Sequence, residues 1–305
     1  MKQLLAAACA AILFTAPAHA ALNVFACEPE WGALATELGG SDVNVFVATT
    51  GKQDPHQVQA RPALIARLRS ADIAVCSGAE LEIGWMPALL RQAGNGKVQP
   101  GSIGYLAAAE QVPRLEIPTR VDRSEGDVHP SGNPHVQTDP RNIRIVAVAL
   151  AARLGEIDAG HAAGYAQRRD DFLRRWDAAI ARWQAAAAPL NGAKAIIYHK
   201  SWAYMFNWLG MTEVGTIEPK PGIPPSATYI AQLLDQIPRL QPRMIIYAAY
   251  QDPRAPQVVG EKSGLPAVLL PFTVGGTDAA KDLFGLFDDT IARLLTAAGR
   301  PRGAS

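Results

Sequence analysis

The stretch LNVFACEPEWGALATELGGSDVNVFV, residues 22–47, sets the pattern that the rest of the chain repeats. The apolar run Leu22 to Ala26 is typical of a strand, and Trp31 to Leu38 of a helix. Gly39-Gly40 ends the helix, and Val43 to Val47 is the next strand. A strand, a helix and a strand in this order favour parallel pairing through a right-handed crossover. The stretch therefore predicts an α/β lobe.

Strands and helices keep alternating after this stretch. We predict further strands at Asp72 to Cys76, Ala195 to His199, Met244 to Tyr247 and Ala267 to Phe272. We predict further helices at Pro62 to Ser70, Leu81 to Gln92, Asn142 to Gly155, Ser201 (as N-cap) through Leu209, Tyr229 to Leu240, Pro256 to Ser263 and Leu283 to Ala298. The chain thus has enough elements for two mostly parallel sheets flanked by helices.

A long amphipathic segment lies between the two sets of strands. From about Asp158 to Ala187 the aromatic and apolar residues recur at helical spacing and form one stripe: Tyr165, Phe172, Trp176, Ile180 and Trp183. A helix of this length spans some 40 to 45 Å, which is longer than one small lobe requires. It either braces two lobes or packs along one sheet.

The first residues have the form of a secretory signal. Met1-Lys2-Gln3 precedes an apolar run from Leu4 to Ala16, and Ala18-His19-Ala20 has the small-x-small form of a cleavage site. The apolar run is shorter than the roughly 20 residues that a bilayer requires, so a transmembrane anchor is the poorer interpretation. We expect residues 1–20 to be removed and the protein to act outside the cytoplasm.

The charge balance excludes some classes of partner. The chain has 29 basic and 28 acidic side chains among 305 residues, and cleavage would remove Lys2. No basic excess is left to bind nucleic acid or an anionic membrane, so neither partner is expected.

Two cysteines, Cys27 and Cys76, remain after that cleavage. Each ends an apolar run of strand type, and a secretory signal places both in an oxidising compartment. If the two strands are neighbours in a parallel sheet, the sulfur atoms come within bridging distance, and we predict a disulfide. Two buried free thiols are the alternative.

The loop from Asp127 to Pro140 carries two histidines, His129 and His135, among prolines and a glycine. Pro134 restricts the backbone before His135, and Asp139-Pro140 supplies an N-cap with a proline at the first helical turn. His135 is therefore the better candidate for a displayed functional group.

Two more histidines lie at predicted strand ends. His56 lies in the polar loop after Val43 to Val47, and His199 ends a strand of the second half. Ligands of parallel sheets bind beyond the carboxyl ends of the strands. Asp278 lies in a further loop of this kind. Three neutral imidazoles and a carboxylate form a suitable tetrahedral set for zinc, whereas manganese prefers more oxygen ligands.

Several motifs give the chain a family resemblance: Asp54-Pro-His56, the segment Ala71 to Glu82 followed by Trp85, Gly132-Asn-Pro-His135 with Asp139-Pro140, and Tyr198-His-Lys-Ser-Trp202 with Asn207-Trp-Leu-Gly210. In this order they resemble the periplasmic solute-binding proteins of zinc and manganese ABC importers. The resemblance covers nearly all of the chain after the signal.

The resemblance implies a fold, a ligand set and partners. The fold would be two α/β lobes, residues 21–157 and 189–305, joined by a rigid helix over residues 158–188, with the metal between them. His56, His135 and His199 would be metal ligands. The protein would be a periplasmic monomer that delivers Zn²⁺ to an inner-membrane permease with a cytoplasmic ATPase, and a metallochaperone is a further possible partner.

The chain also departs from the family pattern. The histidine-rich acidic loop of many zinc receptors is missing, and Arg123 to His129 resembles a remnant of it, with His129 as a secondary metal site at most. The family's last ligand, a carboxylate, does not align cleanly through Pro271 to Gly276. We assign that role to Asp278, because a carboxylate completes the tetrahedral set, with water or Glu80 as the other candidates.

Two other functions compete with a zinc receptor, which would not be an enzyme. A manganese receptor of the same type is one. A secreted zinc hydrolase is the other, since three histidines with an open position also describe a catalytic site. Against the hydrolase, the chain has no His-Glu-x-x-His pairing, and its candidate general bases are only Glu28, Glu80 and Glu218.

Overall fold

The structure is a computed structural model that describes residues 20–120, 126 and 128–299. Nearly all of the proposed signal peptide, residues 1–20, lies outside the described residues, as does most of the proposed loop remnant Arg123 to His129. No helix of the described ranges is long and apolar enough to cross a membrane.

The N-terminal lobe is built on a four-stranded parallel sheet in the order β2-β1-β3-β4. Its strands are β1 (Leu22–Ala26), β2 (Val43–Val47), β3 (Ile73–Cys76) and β4 (Tyr105–Ala107). Its helices are α1 (Pro29–Gly39), α2 (Pro62–Arg69), α3 (Met86–Ala93) and α4 (Pro140–Ile157).

The C-terminal lobe repeats this topology, with four parallel strands in the order β6-β5-β7-β8. Its strands are β5 (Lys194–Ile197), β6 (Thr212–Thr216), β7 (Met244–Ala248) and β8 (Ala267–Leu270). Its helices are α6 (Ala203–Leu209), α7 (Ala227–Leu240), α8 (Arg254–Ser263) and α9 (Leu283–Ala298). The predicted fold class, two α/β lobes with mostly parallel sheets, is confirmed.

Helix α5 (Ala162–Ala186) joins the lobes. Its 25 residues span about 37 Å. Near its start the Arg168 guanidinium donates to the Leu38 carbonyl and to the Asp42 carboxylate of the first lobe. Near its end the Trp183 indole donates to Asp288 of α9, in the second lobe. The helix is therefore fixed to both lobes, as the bracing interpretation predicts.

One hydrophobic core runs through both lobes. It contains the inner faces of both sheets and the buried sides of α1, α4, α5, α6 and α9, among them Trp31, Trp176, Trp208 and Phe287. The outer face of the first sheet packs against α2 and α3, and the outer face of the second against α7 and α8. The core shared by the lobes holds the sheets in a fixed relation, so that loops from both lobes meet at one place.

Cys27 directly follows β1 and Cys76 ends β3, and the two strands pair in the sheet. Their Cα atoms lie 4.8 Å apart, both side chains are fully buried, and a disulfide joins them. The predicted disulfide is confirmed.

Three local predictions were wrong. The helix expected from Leu81 begins at Met86, because residues 77–85 form a turn. Ser201 is not the N-cap of α6; that position is Trp202. Strands β4 and β6 were not predicted, because β4 has only three residues and β6, Thr-Glu-Val-Gly-Thr, lacks the continuous apolar run of a central strand.

Candidate metal centre

Four histidine rings meet where the loops of the two lobes converge. His56 follows β2, His129 and His135 precede α4, and His199 follows β5. The ring of His56 lies 5.4 Å from the rings of His135 and His199 and 5.5 Å from that of His129, between centroids. Ring nitrogens of His56, His129 and His135 all lie within 4.8 Å of one another. We call these four residues the histidine cluster.

Carboxylates fix the orientation of two members of the cluster. Asp54 Oδ1 lies 2.8 Å from Nδ1 of His56, and Glu218 Oε2 lies 2.7 Å from Nδ1 of His199. Such a pairing places the proton on Nδ1 and leaves the Nε2 lone pair for a metal. Burial alone would raise the pKa of Asp54, but the hydrogen bonds from His56 outweigh it and hold this pKa below its usual value.

His135 is buried differently. Its side chain is 1% exposed, and within the described residues neither ring nitrogen has a hydrogen-bond partner. Burial, together with the neighbouring histidines, holds the pKa of its imidazole well below the usual range. The ring of Phe272 packs edge-on against it at 5.3 Å. His135 therefore presents a neutral ring with an available lone pair.

His129 joins the cluster, although the sequence indicated at most a secondary role. Its ring hydrogen-bonds the backbone carbonyl of Ala79, and Nε2 is buried without a partner in the described part of the chain. Burial and the charges of neighbouring histidines lower its pKa to about 3. His129 thus presents a neutral ring with an available nitrogen as well.

Hydrogen bonds between the lobes hold the loop that carries His135. The Tyr204 hydroxyl, on α6, donates to the Asn133 carbonyl at 2.8 Å and accepts from the Leu115 amide at 3.1 Å. The Asn133 side chain donates to the Lys200 carbonyl at 2.8 Å and accepts from the His135 amide at 3.0 Å. One asparagine therefore ties the backbone next to His135 to the backbone next to His199.

A cleft of about 560 Å³ opens onto the cluster and is lined by His129, His135 and His199. In tetrahedral zinc sites the Zn–N distance is about 2.0–2.1 Å, which separates ligand nitrogens by about 3.4 Å. Imidazole nitrogens from four histidines, several of them buried without a hydrogen-bond partner in the described chain, suit a borderline-soft divalent cation such as Zn²⁺.

A family model described as "ZnuA: Zinc-uptake complex component A periplasmic" matches residues 24–297. The chain belongs to this family.

Two zinc-uptake ZnuA proteins illustrate how far the sequence similarity extends. The protein from Brucella abortus (strain 2308) is 32% identical over 106 residues, which is 35% of this chain and 32% of the relative. The protein from Yersinia pestis is 22% identical over 199 residues, 60% of this chain and 61% of the relative. The matched regions thus span about a third and about three fifths of the relatives' own length.

The fold similarity extends further. The crystal structure of a ZnuA deletion mutant with zinc bound has a TM-score of 0.76 to this chain at 23% identity. The match covers 92% of this chain and 99% of that one.

Of the predicted ligands, the structure brings His56, His135 and His199 together but does not bring Asp278 to them. Asp278 is exposed. Its loop closes on itself through a hydrogen bond from the Gly275 amide to the Ala280 carbonyl, and the residues at its tip face the solvent. The same loop instead contributes Phe272, which packs on His135.

The other carboxylates considered from sequence have different roles. Glu80 accepts hydrogen bonds from Ser131, and Glu218 orients His199. Glu28 is buried beside Ser77 and Glu82. Asp54 and Glu218 were not recognised as orienting groups. The position of Asp54 two residues before His56 was the available signal for the first, whereas nothing local marks the second.

Proposed function

We propose that this protein is an extracytoplasmic receptor that captures Zn²⁺ between its two lobes and delivers it to an ABC importer. The observation that carries this proposal is the convergence of imidazole rings from both lobes, in which buried ring nitrogens of His56, His129 and His135 have no hydrogen-bond partner within the described residues. Membership of the zinc-uptake family and the ZnuA names of the relatives support it.

The proposed ligands are the four residues of the histidine cluster, with His129 in the role that the sequence gave to Asp278. Asp54 and Glu218 fix the tautomers of His56 and His199. We assign the lobes to residues 21–157 and 189–305 and the linking segment to 158–188. Capture requires only a cation that replaces water by nitrogen donors, so no covalent chemistry is involved.

The location and partners follow from the same proposal. The secretory form of residues 1–20 and the family description support a periplasmic location. The receptor would act as a monomer and would pass the ion to an inner-membrane permease driven by a cytoplasmic ATPase. Loading by a metallochaperone fits the open cleft beside His129.

Nitrogen donors favour zinc over manganese, which prefers carboxylate and carbonyl oxygens. A hydrolase is also disfavoured. Of its candidate bases, Glu218 and Glu80 are engaged with His199 and Ser131, and Glu28 is buried.

Metal titration of the stripped protein tests the proposal. We expect one Zn²⁺ per chain and Mn²⁺ binding weaker by at least roughly 100-fold. His135→Ala should reduce zinc affinity by more than the roughly 10- to 100-fold typical of lost outer-shell partners. His161→Ala is the matched control, because His161 pairs with Asp158 outside the cluster. Absence of a tight zinc site, or one indifferent to His135→Ala, would contradict the proposal.

A further inference from the structure

The turn after β3 contains three consecutive residues with positive φ. These are Gly78 at 75°, Ala79 at 46° and Glu80 at 66°. Glycine adopts this region freely, but for an alanine and a glutamate it is unfavourable by about 1–2 kcal/mol per residue. Such a conformation persists only where surrounding contacts hold it.

Both strained residues contact the segment that carries His129. The Ala79 carbonyl accepts a hydrogen bond from the His129 ring. The Glu80 carboxylate accepts two hydrogen bonds from Ser131, from its amide at 3.2 Å and from its hydroxyl at 3.1 Å. Hydrogen bonds to an ionised carboxylate are stronger than those between neutral groups. The turn therefore holds the residues on each side of Pro130.

The turn is itself fixed to the sheet. Glu82 accepts hydrogen bonds from the Ser77 amide at 2.8 Å and from the Gly78 amide at 3.1 Å. The Trp85 indole donates to the Pro55 carbonyl at 2.9 Å, next to His56. The same turn thus lies against the backbone of one metal-site histidine and holds the ring of another.

We propose that Glu80 is a positioning residue that keeps His129 in the histidine cluster and thereby sets the number of nitrogen ligands. This inference rests on the proposed zinc-receptor function. With Glu80 in place the site offers four imidazoles. Without it, residues 128–131 lose their carboxylate anchor, His129 leaves the cluster, and water takes the fourth position.

The change in ligands alters selectivity as well as affinity. A site of three imidazoles and water is closer to what oxygen-preferring cations accept than a site of four imidazoles. Loss of Glu80 should therefore reduce the preference for Zn²⁺ over Mn²⁺. If Glu80 only joined two loops, its loss would lower stability without changing which residues bind the metal.

Cobalt substitution distinguishes these cases, because the visible absorption of Co²⁺ reports the number and type of its ligands. The variants are Glu80→Ala, His129→Ala and the double variant, with Glu110→Ala as an exposed-carboxylate control. We expect Glu80→Ala and His129→Ala to change the Co²⁺ spectrum in the same way and to weaken zinc binding about tenfold or more. The double variant should be no weaker than either single variant, since both remove the same ligand.

Ser131→Ala provides a milder second test. It removes the hydroxyl donor but keeps the amide donor to Glu80, so a smaller change of the same kind is expected. If Glu80→Ala does not fold, Ser131→Ala still tests the inference.

Two outcomes would overturn the inference while leaving the receptor function intact. One is a normal spectrum in Glu80→Ala beside a changed spectrum in His129→Ala. The other is a normal spectrum in His129→Ala itself. Failure of the unmodified protein to bind Zn²⁺ or Co²⁺ would instead refute the proposed function.

Discussion

Two groups of ionisable side chains are buried in this protein, and burial acts on them in opposite directions. One is the histidine cluster. The other, which we call the carboxylate cluster, consists of Glu28, Glu30 and Glu82. Burial lowers the pKa values of His129 and His135 and raises those of Glu30 and Glu82 to about 7. In both cases the neutral form is favoured.

The neutral forms have different chemical consequences. A neutral imidazole keeps a lone pair, and in the histidine cluster several lone pairs have no donor among the described residues. A neutral carboxyl carries a proton, and Glu28 shares a hydrogen bond with Glu82. Ser77 and Gly78 donate to the carboxylate cluster, and Thr273 donates to Glu30 across the lobes. The same physical effect therefore produces a candidate metal site in one place and a structural joint in the other.

Removal of the disulfide should have the largest effect on stability and little effect on metal binding. Cys27 and Cys76 are 49 residues apart, and an entropic estimate for a loop of this length is about 4 kcal/mol. We expect Cys27→Ala with Cys76→Ala to lower the free energy of unfolding by about that amount in urea titrations. Zinc affinity of the folded variant should stay within about threefold. A parallel collapse of zinc affinity would show that the histidine cluster depends on the disulfide.

The carboxylate cluster should make stability depend on pH. A carboxyl group with a raised pKa contributes stability that is complete below its unfolded value, near 4.5, and is lost as the pH rises through the folded value. Glu28→Gln removes one such group. The free energy of unfolding of Glu28→Gln, measured relative to that of the unmodified protein, should therefore increase between pH 5 and pH 7, by up to about 1.4 kcal/mol per pH unit. Unfolding curves at several pH values measure this, with the exposed Glu110→Gln as the control. A pH-independent difference would contradict the assignment.

Tyr204→Phe should affect both stability and metal retention, because its hydroxyl links the loop of His135 to α6. Leaving the buried Asn133 carbonyl without this donor costs about 1–3 kcal/mol. We expect faster zinc release to a chelator in stopped-flow measurements. Tyr229→Phe is the matched control, since that hydroxyl donates to Thr216 within the second lobe. Equal release rates in the two variants would show that the link between the lobes does not stabilise the bound ion.

The smallest effect is expected for Asp278→Ala. Because this side chain is exposed and outside the histidine cluster, zinc affinity should change by less than about twofold, whereas His129→Ala should weaken it clearly. Parallel competition titrations with a zinc chelator compare the two. If Asp278→Ala weakened zinc binding more than His129→Ala, Asp278 would be the fourth ligand, as the sequence predicted.

The sequence predicted the central parts of the fold well. Strands such as Leu22–Ala26 and helices such as Leu283–Ala298 were found at their observed bounds, because apolar periodicity reports burial directly. Strand β6 was missed because Thr212–Thr216 contains a single large apolar residue, Val214, and none of its residues is fully buried. Its pairing with β5 depends on contacts that a sequence pattern does not contain.

Part of the site could also be predicted, because the fold class indicates where ligands bind. His56, His135 and His199 lie at strand or helix ends, where the fold class places ligands. The choice between His129 and Asp278 depended on how two loops close. The Asp278 loop is closed by a hydrogen bond from the Gly275 amide to the Ala280 carbonyl, and the His129 segment is held by a strained turn at Ala79. Neither contact has a signature in the sequence.

The most direct test of the central comparison is a crystal structure of the zinc-loaded protein with anomalous diffraction at the zinc edge. We predict one strong peak within about 2.0–2.1 Å of Nε2 of His56, His129 and His199 and of a ring nitrogen of His135. A peak at the carboxylate cluster, or a zinc ion bound by Asp278 in place of His129, would contradict this account.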